Sequence, residues 1–217
     1  MVIYNMKSKR DAVKIIEVLK NTYPDATCSL DFSTPFEMLI SVMLSAQCTD
    51  ERVNKTTPNL FDKYNTPEKM AEINPKELEK IIHPCGFYKN KAKNIIATSK
   101  ILVENYNGIV PNTIEELIKL PGVGRKSANV VMLEAFNNPS GIAVDTHAKR
   151  ISNRVGFSVE TEPEKIEQDL LKIFEKKYWY DVNHLLVWHG RGYCDSRNPK
   201  CNECTINNYC DFYKKSH

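Results

Sequence analysis

The sequence has no apolar run that could cross a membrane. None of its 217 residues belongs to a segment approaching the ~18 consecutive apolar residues that a spanning helix needs. The first residues, Met1 to Asp11, also lack the apolar core of a secretion signal. We therefore expect a cytoplasmic protein with no membrane partner, in a compartment where thiols stay reduced.

The alternation of apolar and polar residues between hairpin turns, typical of exposed β-strands, is also missing. Helix-start signals recur instead, at Thr34-Pro35-Phe36-Glu37, Asn74-Pro75-Lys76-Glu77, Thr113-Ile114-Glu115-Glu116 and Thr161-Glu162-Pro163-Glu164. Residues 36–44 are apolar almost all round, which predicts a helix enclosed by its neighbours. The sequence therefore predicts an all-α fold.

Positive charge is concentrated in one part of the chain. The formal net charge of the whole sequence is only +3. Between Pro84 and Val130, however, seven Lys or Arg residues stand against three Glu residues, an excess larger than the net charge of the chain. This local excess indicates a basic surface suited to an anionic partner.

Residues 113–136 predict a helix, a tight turn and a second helix that begins near Arg125. Gly122 and Gly124 in the turn would let the backbone approach a bulky group closely. The first amides of the second helix have no intrahelical partners, and with the helix dipole they form an anion site. With Arg125 and Lys126 beside it, a DNA phosphate is a natural occupant, although an ordinary helix–turn–helix corner uses the same residue types.

Four of the seven cysteines lie near the end of the sequence, with the spacing Cys194-x6-Cys201-x2-Cys204-x5-Cys210. In a reducing compartment such a group indicates a metal site and not disulfides. Four thiolates suit zinc as well as a [4Fe–4S] cluster, and the spacing alone slightly favours zinc. Packing roles fit the other three, Cys28, Cys48 and Cys85.

Several motifs taken together resemble the helix-hairpin-helix DNA glycosylases. The family's hairpin is matched by Leu120-Pro121-Gly122-Val123-Gly124-Arg125-Lys126-Ser127-Ala128. The endonuclease III branch of the family is matched, in order, by Met43-Leu44-Ser45-Ala46-Gln47, by Val144-Asp145-Thr146-His147 and by the four terminal cysteines. The resemblance spans about residues 8–212, and several motifs with correct mutual spacing are far more specific than any one of them.

The resemblance implies a bifunctional DNA glycosylase and abasic-site (AP) lyase of base excision repair. Such an enzyme removes damaged bases, expected here to be oxidised pyrimidines, and cuts the strand 3′ to the abasic site. Lys126 is then the nucleophile that forms a Schiff base, and Asp145 assists base departure and proton transfer. Gly122, Gly124 and Arg125 hold a DNA phosphate. Taken alone, however, an Asp before a helix is more often only an N-cap, and a helical Lys is usually a solvated surface residue.

The resemblance also assigns DNA contacts outside the hairpin. Gln47 and Phe87 fill the gap left by a flipped nucleotide, although many relatives carry Leu where Phe87 stands. Without the family, a helix C-cap for Gln47 and a core anchor for Phe87 are the favoured roles. Arg197 and Lys200, in the first cysteine loop, meet phosphates.

The same resemblance replaces zinc with a [4Fe–4S] cluster on Cys194, Cys201, Cys204 and Cys210, because their spacing is that of the cluster loop in the endonuclease III branch. It implies two helical domains flanking a DNA-binding cleft. Residues 24–138 form the domain with the hairpin, and residues 1–23 plus 139–217 form the cluster domain. The expected partner is double-stranded DNA with damaged bases or abasic sites, bound by a monomer associated with the nucleoid.

Three alternatives remain at this point. An adenine glycosylase of the same superfamily would carry a catalytic Glu in place of Ser41, usually lack the hairpin lysine and have a further C-terminal domain. A thymine-mismatch glycosylase typically has Tyr where Lys126 stands. A non-catalytic DNA-binding module explains the hairpin but not Lys126 together with Asp145.

Overall fold

The computed structural model describes residues 6–216, and within them the chain is helical. The α-helices of this part are α1 (Lys9–Thr22), α2 (Pro35–Ser45), α3 (Asp50–Phe61), α4 (Pro67–Ala71), α5 (Pro75–Ile82), α6 (Tyr88–Tyr106), α7 (Ile114–Leu117), α8 (Arg125–Phe136), α9 (Thr146–Val155), α10 (Pro163–Ile173), α11 (Trp179–Gly192) and α12 (Asp211–Ser216). Short 3₁₀ helices span His83–Cys85, Lys176–Tyr178, Cys201–Glu203 and Asn207–Tyr209. No strand occurs among residues 6–216, and the all-α prediction is confirmed.

The described residues divide into two compact units. One, here called the inserted unit, runs from Cys28 to Ser140 without interruption. The other, here called the terminal unit, combines the residues up to Thr27 with those from Gly141 onward. Each unit has its own buried apolar core. No helix in the described part of the chain is long and apolar enough to cross a bilayer.

The inserted unit is built around α2. Every residue from Phe36 to Leu44 is buried, and α2 contacts α3, α6 and α8. The helix is apolar all round because it faces neighbours on all sides, as the sequence predicts. Thr34 caps its start by accepting a hydrogen bond from the backbone N of Glu37 at 3.1 Å.

The other predicted helix starts are confirmed with one exception. Asn74 and Thr113 each accept a backbone N–H bond at the starts of α5 and α7. At α10 the prediction was wrong, because Glu162 and not Thr161 is the N-cap, and no side chain caps the helix. Pro163 is the first helical residue, and a proline there holds the residue before it in an extended conformation.

The terminal unit packs α1 against α11 and places α9 in contact with α10, α11 and α12. Phe157 and Phe174 meet edge to face in its core, with ring centroids 5.3 Å apart. After α11 the chain enters residues 193–210, which contain the four cysteines and only two 3₁₀ turns. We call residues 193–210 the cysteine loop.

Candidate functional site

Contacts with α6 fix the turn between α7 and α8. Thr98 Oγ1 donates a hydrogen bond to the carbonyl oxygen of Pro121 at 3.0 Å. Gly122 has a φ of +81°, and a Cβ built on it would lie 2.8 Å from Asn94 Nδ2. Glycine is therefore required here by the left-handed backbone and by the packing of the protein itself.

Gly124 has a different role from Gly122. Its φ of −89° suits any residue, and a Cβ built on it would meet nothing within 4 Å. It is the N-cap of α8, where no side chain caps the helix, and the backbone N of Ala128 donates to its carbonyl oxygen at 2.9 Å. The amides of residues 125–127 thus lack intrahelical partners, and an anion can approach them and the positive end of the dipole.

Lys126 lies at this helix start. It is the second residue of α8, and both it and the preceding Arg125 have exposed side chains. The structure thus places an accessible primary amine in the first turn of α8, beside the amides that have no intrahelical partner. Helix stability does not explain this placement, because a cation at the positive end of a helix dipole is unfavourable.

Asp145 is the N-cap of α9, so the structural role considered from the sequence is real. Its Oδ1 accepts hydrogen bonds from the backbone N atoms of His147 and Ala148, both at 2.8 Å. The cap uses only this one oxygen of the half-buried carboxylate and leaves Oδ2 for other chemistry. Asp145 belongs to the terminal unit and Lys126 to the inserted unit, and their joint action stays a prediction.

Arg150 joins the start of α9 to the cysteine loop. Its Nε donates to the carbonyl oxygen of Cys194 at 3.0 Å, and its Nη2 donates to the carbonyl oxygen of Gly190 at 3.0 Å. The same Nη2 lies 3.1 Å from Nδ1 of His147. Gly190 itself lies so close to His147 that a Cβ there would be 2.6 Å from Nδ1. The capped start of α9 and the first cysteine are therefore held in one network.

The four predicted ligand cysteines are brought together around one cavity. It is lined by Cys194, Cys201, Cys204 and Cys210, with His189 and Arg154 beside them. Arg154 Nη1 donates to Cys194 Sγ at 3.3 Å and to the carbonyl oxygen of Asp195 at 2.6 Å. Among residues 6–216, no three His, Cys, Asp or Glu side chains are already arranged as the ligands of one metal ion.

The surroundings of these thiols are apolar and protected. Burial raises the pKa of the Cys204 thiol to about 11, and burial also raises the pKa of Cys210. His189, whose Nε2 lies 3.5 Å from Cys204 Sγ, has its pKa lowered to about 4 by burial. The Cys204 and Cys210 thiols are therefore neutral, and binding of a metal centre would release their protons.

Gln47 and Phe87 share an unusual backbone. Both have positive φ, 54° and 45°, and the other non-glycine residues of the described chain with positive φ are both Asn at helix ends. Gln47 is exposed and lies one residue beyond the actual C-cap of α2, which is Ala46. Phe87 is 65% exposed, so the core-anchor role favoured without the family is wrong. A bulky residue held in this region indicates strain that local function can explain.

Arg197 and Lys200 are exposed in the cysteine loop. The backbone N of Arg197 donates to Asp195 Oδ1 at 2.8 Å, and the backbone N of Lys200 donates to the carbonyl oxygen of Tyr193 at 2.9 Å. Their backbones are thus fixed while their side chains face solvent. Their predicted contact with phosphates stays a prediction.

Sequence reasoning missed two basic residues that serve the site from inside. Arg154, eight residues into α9, binds the cysteine loop, and no spacing rule reveals a partner 40 residues away. Lys91 was counted with the basic surface but is buried. The helical spacing could have predicted this burial, because Lys91 lies on the same face of α6 as the buried residues Ile95, Thr98 and Leu102.

Comparisons with known proteins agree with this arrangement. Residues 40–176 match the family model of HhH-GPD superfamily base excision DNA repair proteins, which defines the class. An endonuclease III from Synechocystis is 46% identical over 93% of this chain and 92% of its own length. An endonuclease III solved in a non-covalent complex with DNA superposes with a TM-score of 0.92 at 43% identity, covering 97% of this chain and 99% of that one. A structure of a trapped endonuclease III–DNA covalent intermediate matches with the same TM-score, identity and coverage.

The chain belongs to the endonuclease III family. The resemblance stated from the sequence is thereby confirmed. Among the alternatives, the adenine-glycosylase assignment requires a Glu at position 41, where this chain has Ser41, a fully buried residue of α2.

Proposed function

We propose that this protein is a bifunctional DNA glycosylase and AP lyase that excises oxidised pyrimidines from double-stranded DNA. The observation that carries the proposal is the exposed amine of Lys126 beside the uncapped start of α8, in a chain of the endonuclease III family. A relative has been solved both bound to DNA and as a trapped covalent intermediate, which is the chemistry an amine nucleophile provides.

Lys126 carries the covalent chemistry in this proposal. Its neutral amine attacks C1′ of the damaged nucleotide, the glycosidic bond breaks, and the base leaves with its electron pair and a proton. The sugar ring then opens to a protonated Schiff base, and the C2′ proton is lost. Electrons from that C–H bond expel the 3′ phosphate, and water later releases the lysine. The imine is an electron sink, so the same lysine serves base removal and strand cleavage.

Asp145 supplies the proton transfers and stabilises positive charge on the sugar. Its Oδ1 is held by two amides of α9, which fixes the carboxylate, while Oδ2 takes no part in the cap. A carboxylate positioned in this way contributes typically 10²–10⁴-fold as an acid or base, an order-of-magnitude value.

The hairpin holds the phosphate next to the reacting nucleotide. The N-terminal amides of α8 and the side chain of Arg125 are the donors, and Gly124 leaves open space in front of them. Gly122 acts indirectly, because it allows the turn to pack on Asn94. Arg197 and Lys200 add phosphate contacts from the cysteine loop.

Gln47 and Phe87 occupy the gap in the duplex after the nucleotide flips out. Unstacking and unpairing cost a few kcal/mol, so groups that replace the lost contacts favour the flipped state. The Gln47 amide both donates and accepts toward the orphaned base, and the Phe87 ring stacks. Their exposure and their left-handed backbones support this role.

The four cysteines of the cysteine loop would hold the [4Fe–4S] cluster. The residues fit the group, because four thiols line one cavity and four thiolates are the ligand set of such a cluster. When bound, the cluster would cross-link a loop that has almost no core of its own. The proposed reaction needs no redox step from it.

The two compact units are proposed to be the two domains of the enzyme, the inserted unit with the hairpin and the terminal unit with the cluster. All residues of the proposed site lie in one chain, so a monomer suffices. Chromosomal DNA as substrate places the activity in the cytoplasm, at the nucleoid.

Borohydride trapping on a duplex with one thymine glycol tests the proposal. The protein should remove the base, nick the strand and become covalently attached to the DNA when borohydride is present. Lys126→Gln should abolish trapping and nicking at a preformed abasic site while abasic-site binding survives. Lys63→Gln, which removes an exposed amine elsewhere in the inserted unit, is the matched control.

If the Lys126→Gln variant still became covalently attached to DNA in the presence of borohydride, another amine would be the nucleophile. If the wild-type protein is trapped on abasic DNA but does not release thymine glycol, the proposed lyase activity stands and the proposed class of lesion is rejected. Metal analysis of the same preparation should give roughly four iron atoms per chain with sulfide, and one zinc without iron would reject the cluster alone.

A further inference from the structure

Lys91 is a buried charged residue that the proposed chemistry does not use. Its residue exposure is 7%, and its Nζ donates to two carbonyl oxygens, that of Leu44 and that of Cys85, each at 2.8 Å. Burial lowers the pKa of Lys91, so burial is a cost that its contacts must offset. A lysine is seldom buried unless it is paired.

The two carbonyls belong to two different segment ends. Leu44 lies in the last turn of α2, where carbonyls have no intrahelical partner and the dipole is negative. Cys85 is the last residue of the 3₁₀ helix His83–Cys85. One ammonium group therefore satisfies the ends of two helical segments that are 41 positions apart in sequence.

Each segment end leads at once to a residue of the proposed DNA gap. Gln47, with a φ of 54°, follows Leu44 by three positions. Phe87, with a φ of 45°, follows Cys85 by two positions. The backbone N of Lys91 also donates to the carbonyl oxygen of Phe87 at 3.1 Å. Lys91 thus contacts the segments that lead to both residues, and it is buried whereas Gln47 and Phe87 are exposed.

We propose that Lys91 is a positioning residue that sets Gln47 and Phe87 relative to each other, so that both enter the DNA gap as one rigid pair. The inference rests on the proposed roles of Gln47 and Phe87. Both segments have backbone conformations that are unfavourable for their residue types, and a common tether prevents each from relaxing independently. Misplacement of reacting groups by about 1 Å can cost about 10²-fold in rate, so a shared anchor has a measurable effect.

A cycle of variants tests the coupling. Single-turnover release of thymine glycol is measured for the wild-type protein, for Lys91→Met, for Gln47→Ala with Phe87→Ala, and for all three changes together. Methionine keeps the unbranched stem and removes both hydrogen bonds. Lys91→Met should slow release at least about tenfold in the wild-type background and less than about twofold when Gln47 and Phe87 are already Ala, because coupled residues are not additive.

Two controls separate positioning from general damage. Lys63→Met makes the same charge change at an exposed site of the inserted unit and should leave release unchanged. Borohydride trapping of Lys91→Met on abasic DNA should persist, since the Lys126 amine is untouched. If Lys91→Met does not fold, Lys91→Gln, which retains one donor group, should give the same non-additive pattern with a smaller loss.

The outcomes distinguish two failures. If the loss caused by Lys91→Met is as large in the Ala background as in the wild-type background, Lys91 stabilises the unit without acting through the pair, and the inference is wrong. If Gln47→Ala with Phe87→Ala releases the base at the normal rate, the proposed gap-filling roles fail and the inference falls with them. If borohydride does not trap the wild-type protein on abasic DNA, the proposed enzyme function itself is rejected.

Discussion

The inserted unit and the terminal unit support their functional segments by different means. In the inserted unit, the turn at Gly122 and the segments before Gln47 and Phe87 all rest on one large apolar core around α2. In the terminal unit, the cysteine loop has almost no core of its own, and Ile206 is the one buried side chain of residues 193–210, all of which the structure describes.

The cysteine loop is held by long polar side chains and, as proposed, by the cluster. Arg150 and Arg154 reach from α9 to the carbonyl oxygens of Cys194, Asp195 and Ser196 at 2.6–3.0 Å. Buried apolar area gives the inserted unit stability that tolerates strained residues at its surface. The cysteine loop instead depends on a few directional contacts, so loss of one ligand should have a larger local effect there.

Cys201→Ser should have the largest effect among the changes that test this difference between the two units. Without one thiolate the cluster should be lost, and amide exchange in the cysteine loop should accelerate by orders of magnitude because the loop then opens freely. Exchange in α2 should not change. Hydrogen exchange read by mass spectrometry measures both regions in one experiment, and Cys28→Ser is the control outside the loop. Equal protection of the loop in both variants would contradict its dependence on a metal centre.

Asp145→Asn should separate the two roles of one carboxylate in the terminal unit. Asn caps helices about as well as Asp, so the midpoint of thermal unfolding should stay near the wild-type value. Release of thymine glycol should fall by about 10² or more, because the group for proton transfer and charge stabilisation is gone. Asp145→Ala should in addition cost about 1 kcal/mol of unfolding free energy. Full activity of the Asn variant would reduce Asp145 to a helix cap.

The two glycines of the hairpin should respond oppositely. Gly122→Ala puts a side chain at a φ of +81° and against Asn94, and should lower the unfolding free energy by about 2 kcal/mol. Gly124→Ala meets nothing inside the protein and should leave stability within about 0.5 kcal/mol. Its methyl group should nevertheless weaken binding to abasic DNA. Urea unfolding and a binding titration distinguish the two, and equal stability losses would contradict the assignment.

Phe87→Gly should change stability by a small amount, and in the direction of a gain. Glycine relieves the left-handed backbone at a φ of 45°, which should raise the unfolding free energy by about 1 kcal/mol. Base release should slow, because the ring is lost. Phe87→Ala removes the ring and keeps the strain, so it should slow release without the gain. A Gly variant no more stable than the Ala variant would show that this conformation is not strained.

The parts of the site that obey local rules could be predicted from the sequence. Enclosure of α2 follows from its continuous apolar residues, and the start of α8 after Gly124 follows from the turn residues. The exposure of Phe87 could not be predicted from residue type, because an aromatic side chain is usually buried and only its backbone environment reverses this. The contacts of Lys91 and Arg154 join distant positions, and no periodicity of the sequence encodes the partner of such a contact.

The interrupted course of the terminal unit has a consequence for synthesis on the ribosome. The chain that forms the inserted unit is continuous, so this unit can complete its core as soon as Ser140 has emerged. Helix α1 emerges earlier but packs against α11, which is made about 160 residues later. The amphipathic face of α1 therefore stays without its partner, accessible to chaperones and proteases, until α11 has been synthesised.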